Sequence, residues 1–316
     1  MEPGVICKKR RWRHWLLGIP CVVAFLIPLR FPGDAELWER VLDFLHVPAF
    51  AAVALYIFHY LPVRWSRSGR LGMALALSSA ASGMIEILQH WTGRSASFGD
   101  FLNSTAGAFL GVFAILMWHR GTLARAVLAV YAAWICAAVA LPAWRHWKCI
   151  AWREQNFPLL SDFESIDEFR LWRSVRPYDT AWGASIVPST EAVSHGNSSA
   201  RVTIFPGETY PSVRIYLGDQ DWRAYANLAF DLYNPGAPFE LSMRVDDDVR
   251  AVRYTDRFYR ALKLAPGWTH VRIPLVEMER QTTGHALNLA AMRRIVFFVE
   301  RSTERHVYFL DWVRLE

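Results

Sequence analysis

Cysteine is scarce in this chain and is missing from its second half. The 316 residues include four cysteines, and the last of them is Cys149. A domain built from residues 151–316 must therefore be stable without disulfide bonds, and a chain of that length can bury enough core to be so. The sequence also lacks an internal repeat, a low-complexity tract, a nucleophile–base motif and a metal-ligand motif. The last two absences count against an enzyme.

Acidic residues are scarce in the first half. Residues 1–150 contain 15 Lys and Arg but 7 Asp and Glu (net +8), whereas residues 151–316 contain 20 and 22 (net −2), which together give the +6 of the whole chain. The basic surplus stands beside long apolar stretches, and it therefore predicts a membrane-orientation signal. No basic helix or aromatic–basic platform accompanies it, so we expect no nucleic-acid partner.

Five apolar stretches in the first half are long enough to cross a bilayer, which requires roughly 17–25 residues in a helix. They cover residues 15–31, 44–61, 71–91, 101–119 and 123–144. Pro48 lies near the start of the second stretch, where a membrane helix tolerates it. The stretches predict an α-helical membrane bundle of about five transmembrane helices.

Basic residues in the short connections predict the orientation of these helices. They cluster in the N-terminal tail, before the third stretch and after the fourth one: Lys8, Lys9, Arg10, Arg11, Arg13, Arg64, Arg67, Arg70, Arg120 and Arg125. This places the N-terminus in the cytoplasm, and five crossings then place the second half in the periplasm or outside the cell. A cleavable signal peptide is the alternative for the first stretch, but no small-residue cleavage site follows it. We therefore expect a multi-pass protein of the bacterial cytoplasmic membrane.

The second half is patterned as short strands separated by turn signals such as Asn234-Pro235-Gly236. Strands are expected at residues 185–187, 200–205, 213–217, 228–233, 239–245, 253–263, 269–274, 295–299 and 307–314. Residues 287–294 favour a helix. Many short strands without long helices predict an all-β jelly-roll sandwich. The chain thus divides into a transmembrane domain (1–147), a juxtamembrane linker (148–157) and an exported β domain (158–316).

One carboxylate, Glu86, stands inside an apolar stretch. A charged residue at that depth costs at least ~2.5 kcal/mol, so it marks a functional site by default. Other polar residues belong to the same end of the predicted bundle: His46, Gln89, Arg94, Asp100 and Asn103. On the predicted topology they form one layer near the outer leaflet, where they can satisfy one another. Gly107 and Gly111 would let the fourth helix approach a neighbour closely.

This polar set is similar to that of the VanZ-like membrane family, which is associated with teicoplanin resistance. The resemblance is carried by His46, Glu86-x-x-Gln89, Arg94, Asp100, Asn103, Gly107 and Gly111. It covers roughly residues 15–120 and implies a cell-envelope role. The chain departs from the family in the residues that flank the histidine. The family often has a basic and an aromatic residue there, whereas this chain has Asp43-Phe44-Leu45-His46-Val47-Pro48.

The second half resembles galactose-binding-like jelly rolls of the carbohydrate-binding-module type. The carrying segments are Ser161-Asp162-Phe163-Glu164, residues 195–200, residues 267–274 and Phe309-Leu310-Asp311-Trp312-Val313. The resemblance implies glycan binding by aromatic side chains, for which the candidates are Trp182, Tyr210, Trp222, Tyr225 and Tyr254. The alternative place for each is the hydrophobic core, where Trp268 and Trp312 are also expected.

Two groups of acidic residues invite a metal interpretation. Domains of the resembled type often hold a structural calcium near their joined termini, which makes Asp162, Glu164 and Asp311 candidate ligands. Asp246-Asp247-Asp248 is the second group, and for it a solvated acidic turn with an Asp–Arg pair is favoured over a cation site.

Two functional hypotheses follow. In the first, the outer-leaflet site and the exported domain recognise cell-wall glycan or lipid-linked saccharide and contribute to glycopeptide resistance, with membrane lipid as a further partner. Glu86 is then an acceptor or general base, and Arg94 pairs with phosphate or carboxylate. The alternative is a passive anchor that displays a glycan-binding adhesion or sensing module, with a purely structural polar cluster. Transport has less support, because the five stretches show no inverted repeat.

Overall fold

Four long helices dominate the first half of the chain. The computed structural model describes residues 35–91, 97–118, 120–174, 183–247, 257–281 and 287–316. The helices are α1 (Ala35–Tyr60), α2 (Arg67–Trp91), α3 (Phe98–Trp118) and α4 (Thr122–Asn156), and each is long and apolar enough to cross a membrane. They confirm the predicted membrane bundle. The first predicted stretch, residues 15–31, lies outside the described residues.

The helix α1 begins earlier than the apolar pattern indicates. It starts at Ala35, so that Glu39, Arg40 and Asp43 are helical, although the pattern placed them in a connection. Pro48 lies inside α1 and lacks an N–H, which deprives the carbonyl of residue 44 of its helical donor.

Two glycines bring α3 into backbone contact with α1. A Cβ atom added at Gly107 would come within 3.0 Å of Val47, and one added at Gly111 would come within 3.0 Å of Ala51, in both cases at the carbonyl oxygen. Small buried residues, among them Ala54, extend the same contact. The two helices can approach this closely because neither glycine has a side chain.

The second half is a sandwich of two antiparallel sheets, which confirms the predicted all-β architecture. Its strands are β1 (Leu159–Ser161), β2 (Trp172–Ser174), β3 (Ala184–Ser189), β4 (Ser199–Ile204), β5 (Ser212–Gln220), β6 (Asn227–Asn234), β7 (Phe239–Asp246), β8 (Phe258–Leu264), β9 (Gly267–Pro274), β10 (Met292–Phe298) and β11 (His306–Leu315). The first sheet has the order β3-β4-β11-β6-β9, with β1 also paired to β11. The second sheet has the order β2-β5-β10-β7-β8. Residues 1–144 and 145–316 form two compact units.

Alternation along the strands gives each sheet one core face. In the second sheet, Ile215, Met243 and Phe297 are fully buried in the shared core. Successive side chains of a strand point to opposite faces, so the residues directly before and after each of these three face outward. Arg214 and Arg244 both pair with Val296 in this outward row. The second sheet therefore presents charged residues on its outer face.

Three local features of the structure were not predicted by the sequence pattern. The strands β1 and β2 have three residues each, which is too short for alternation to be visible. Residues 287–294, expected as a helix, form a 3₁₀ turn (Leu289–Ala291) and the start of β10. Residues 148–156, expected as a linker, are the last turns of α4, and they are held because Arg153 is buried and donates to the carbonyl of Tyr216 at 3.4 Å.

We predict that Gly107→Ala destabilises the membrane bundle by about 1–3 kcal/mol, because the added methyl group meets the backbone of α1. The measurement is the thermal unfolding temperature in detergent. Gly72→Ala is the matched control, since a Cβ there meets nothing within 4 Å. Equal unfolding temperatures for the two variants would contradict the close contact.

Candidate functional site

Polar residues from α1 and α3 meet around the first turns of α3. His46 Nδ1 lies 2.9 Å from Ser104 Oγ, and the carboxyl groups of Asp43 and Asp100 are within hydrogen-bonding distance of each other. The structure thus brings together His46 and Asp100 of the predicted set, and it adds Asp43 and Ser104. Asn103 is half-buried on the same helix, next to Ser104.

Glu86 joins this end of the bundle from α2. Its side chain is 8% exposed, and its Oε2 accepts the backbone N–H of Ser97 at 2.9 Å, directly before α3 begins. N–H groups at a helix start have no helical acceptor, so a carboxylate is stabilised there. The other oxygen, Oε1, is buried and has no hydrogen-bond partner within the described part of the chain. That atom can accept a donor or a proton from a ligand. Gln89, one turn further along α2, is also buried.

The opposite end of these helices carries arginines. Arg67, at the start of α2, donates to the carbonyl of Ile115 in α3 at 2.9 Å. Arg70 donates to the carbonyl of Phe58 in α1 at 2.7 Å, and its guanidinium lies 4.3 Å from the centre of the Phe58 ring. Cations are stabilised at helix C-termini. Acidic groups and arginines are therefore gathered at opposite ends of α2.

The outer face of the second sheet holds a cavity of about 330 Å³. Its aromatic part consists of Tyr210 and Tyr259, whose ring centroids lie 5.9 Å and 6.1 Å from that of Phe298. Tyr210 is 45% exposed, and the hydroxyl of Tyr259 lies 2.8 Å from that of Ser242. Apolar ring faces next to a few polar groups are typical of small-molecule sites.

The remainder of the cavity is basic. We call Arg214, Arg244, Arg257 and Arg294 the arginine cluster; the first three line the cavity, and Arg294 lies on the same sheet face, paired with Asp246. Asp246 is fully buried, so the expectation of a solvated acidic turn was wrong for this residue. It accepts from Arg294 Nε at 2.7 Å, while the Nε atoms of Arg244 and Arg257 lie 3.2 Å and 3.8 Å from its oxygens. Burial lowers the pKa of Arg244, as do Arg294 and Arg257, against the opposing effect of Asp246.

The predicted calcium ligands are engaged by protein donors. Glu164 Oε1 accepts the backbone N–H groups of Asn197 at 2.6 Å and Ser198 at 2.7 Å. Asp311 Oδ2 accepts the backbone N–H groups of residues 194 and 195 at 2.8 Å and 3.0 Å. Asp162 Oδ1 accepts the N–H of Glu164 at 3.4 Å. Among the residues that the structure describes, no group of three or more His, Cys, Asp or Glu is placed to hold a metal ion. The carboxylates instead hold the turns of the sandwich together.

The polar set that converges at α3 is the part of the chain on which the sequence resemblance depends. Residues 8–119 match the VanZ/LLP1 family model. The match covers 112 of the 316 residues and confirms the resemblance. The VanZ/LLP1 region therefore contains the whole Glu86 environment and the glycine contact between α1 and α3. No curated protein matches the chain.

Solved structures similar to the chain include carbohydrate-binding modules. A family 11 module from Clostridium thermocellum, in complex with a β-1,3-1,4-mixed-linked tetrasaccharide, has 19% identity and a TM-score of 0.38 and covers 50% of this chain and 93% of its own. A family 30 module of a Clostridium thermocellum cellulosomal cellulase has 17% identity and a TM-score of 0.32, and the match covers 42% of this chain and 82% of the module. An exo-β-agarase has 15% identity and a TM-score of 0.39, and the match covers 50% of this chain and 25% of the agarase. The sandwich itself is defined by the strand pairings described above.

The aromatic residues predicted to bind glycan differ in burial and location. Tyr210 lines the cavity, whereas Trp222 is fully buried in the core, where no glycan can reach it. Tyr225 is half-buried with its ring edge against Phe157, at 5.5 Å between centroids. Trp268, expected in the core, is 39% exposed on β9.

Three predicted site residues, Trp182, Tyr254 and Arg94, lie outside the described residues. Sequence reasoning missed Tyr259 and the arginine cluster. The available signal was the alternation of polar positions along β5, β7 and β10, but the register that joins these positions across strands is not visible in the sequence.

We predict that Glu164→Gln destabilises residues 145–316 at pH 7 more than in acid. The N–H groups of Asn197 and Ser198 hold the pKa of Glu164 below its ordinary value of 4.5. The unfolded chain then binds the proton more tightly, so the stabilisation is present above pH 4.5 and is lost as the pH falls through the lower folded pKa. Urea unfolding at pH 7 and at pH 3 measures this difference.

Glu191→Gln is the control for this measurement, since Glu191 forms an exposed ion pair with Arg201 at 3.2 Å. A loss of stability in Glu164→Gln that is independent of pH would show that the carboxylate charge does not contribute.

Proposed function

We propose that this chain is a cell-envelope protein whose β domain binds saccharide in the cavity on the second sheet. The single observation that carries the proposal is the partly exposed pair Tyr210 and Tyr259 around Phe298, next to hydroxyl and guanidinium groups in one cavity. Aromatic faces pack on the C–H faces of sugar rings, and the polar groups can bind their hydroxyls. The family 11 module named above is a complex with a tetrasaccharide.

We further propose that the Glu86 cluster is a polar site near the outer leaflet. Arg67 and Arg70 at the opposite end support this orientation, since basic residues stay on the cytoplasmic side. With the N-terminus in the cytoplasm and five crossings, the β domain is exported to the periplasm or the cell surface. A lipid-linked or wall-derived saccharide is a ligand that reaches this side, and its binding would explain a contribution to glycopeptide resistance.

The second candidate function is a passive anchor for a saccharide-binding module, with a structural cluster. Two contacts favour it: the hydrogen bond from Ser97 to Glu86 and the contact of His46 with Ser104. In both, a polar side chain of the cluster has a partner inside the protein. The buried Oε1 of Glu86, which has no hydrogen-bond partner in the described residues, favours the first candidate. The two differ in whether the carboxylate charge is needed at normal protein level.

For the saccharide site, we expect Tyr210→Ala to weaken retention of the full-length protein on peptidoglycan or another envelope polysaccharide by roughly fivefold, because a lost aromatic contact is worth about 1 kcal/mol. Retention is measured by co-sedimentation over a range of polysaccharide concentrations. Trp268→Ala, an exposed aromatic residue of the first sheet, should bind as the wild type does. Failure of the wild type to bind any envelope polysaccharide would refute the saccharide site.

For the membrane site, we expect Glu86→Gln to abolish glycopeptide resistance in cells that contain the protein at wild-type abundance. Glutamine keeps an oxygen that can accept the N–H of Ser97, but it carries no charge. The readouts are teicoplanin susceptibility and quantitative immunoblotting, with Ser78→Ala as a buried-polar control in the same helix. If cells with Glu86→Gln are no more susceptible to teicoplanin than cells with the wild-type protein, the result would instead support a structural cluster.

A further inference from the structure

The cavity on the second sheet holds more positive charge than its own carboxylates neutralise. Three members of the arginine cluster and one carboxylate, Glu300, line the cavity, and Arg294 and Asp246 lie beside them. These six side chains together carry a surplus of two positive charges. Neighbouring guanidinium groups repel one another, so an arrangement of this kind is stabilised by an anion from outside.

Asp246 accounts for three members of the cluster. Arg244, Arg257 and Arg294 all direct Nε toward its carboxylate, at 2.7–3.8 Å. A fully buried carboxylate needs such donors, because it has lost its hydration. These three arginines thus share an ion-pair partner within the domain, although the Nε atoms of Arg244 and Arg257 make no hydrogen bond within the described part of the chain.

Arg214 is the fourth member of the cluster. It lies across β10 from Arg244, and its guanidinium carbon is 5.4 Å from the centre of the Tyr216 ring. Its Nε is buried and has no hydrogen-bond partner within the described part of the chain. Arg214 lines the cavity, so its guanidinium group is placed to bind an acceptor on a ligand.

We propose that the cavity selects saccharides that carry an anionic group, a carboxylate or a phosphate, and that Arg214 binds this group. The inference rests on the proposed saccharide site and names the class of its ligand. The planar fork of a guanidinium fits both anions, with two parallel hydrogen bonds to a pair of oxygens. Tyr210 and Tyr259 contact the sugar ring in this arrangement, and Arg214 provides the charge selectivity.

The experiment measures binding of paired probes to the full-length protein in nanodiscs of uncharged lipid. One pair is oligogalacturonate and its methyl ester, in which each carboxylate is neutralised by a methyl group. The other pair is a malto-oligosaccharide with and without phosphate groups. At least one charged probe should bind about tenfold or more tightly than its neutral partner, as charge-assisted hydrogen bonds do. This preference should shrink with added salt. The pair that shows it identifies the anion.

Arg214→Gln should remove the preference for the charged probe, and the circular dichroism spectrum and unfolding temperature of the variant show whether it is folded. Arg201→Gln is the matched control: it removes the same charge from β4 of the first sheet, where Arg201 pairs with Glu191. It should keep the preference.

Three results overturn the inference. If charged and neutral probes bind equally well, and Tyr210→Ala weakens both, charge selection is refuted while the saccharide site stands. If a preference for the charged probe survives Arg214→Gln, the anion binds elsewhere, as the net charge of +6 would permit. Binding of neither charged probe refutes the inference as well, and the polysaccharide retention experiment then decides separately whether the saccharide site exists.

Discussion

Buried carboxylates have to be matched with donors in both halves of this protein, and much of the local geometry follows from how each one is matched. Glu86 takes a backbone N–H at the start of α3, while Asp311 takes two backbone N–H groups from a turn of the sandwich. Asp246 takes guanidinium groups from three neighbouring positions. A carboxylate that has lost water without gaining donors is strongly destabilising, so these pairings constrain where helices begin and which strands lie side by side.

In the membrane unit, backbone contact and polar contact depend on each other. Val47 touches Gly107, and the residue before it, His46, lies beside Ser104, three residues before Gly107. The close approach of α1 and α3 therefore places the histidine within reach of the hydroxyl. A larger residue at the glycine would separate the helices and break the polar contact as well. Helix packing and the candidate site thus have the same geometric origin.

In the β unit, the site arises from strand register. Tyr259 of β8, Arg244 of β7 and Val296 of β10 stand in one row, which continues to Arg214 of β5. These strands come from distant parts of the chain, and only their pairing joins the aromatic residues to the arginine cluster. The core below the sheet fixes the register, since a shift by one residue would bury arginines and expose phenylalanines. Hydrophobic packing on one face therefore determines the chemistry of the other.

The features that depend on composition and short-range spacing could be predicted from the sequence: the long apolar helices, most of the short strands, the isolated Glu86 and the two glycines of α3. These can be predicted because periodicity and the cost of an intramembrane charge are local properties. Aromatic identity alone could not separate Tyr210, on the cavity, from Trp222, in the core.

Tertiary structure decided which polar residues meet: Asp246 with its arginines, Tyr210 with Tyr259, and Asp43 with Asp100. It also gave backbone donors to Glu164 and Asp311, the residues that the sequence suggested as calcium ligands. The physical reason is that such pairings join positions distant in the chain, and they are chosen by core packing and strand register, which no local pattern contains.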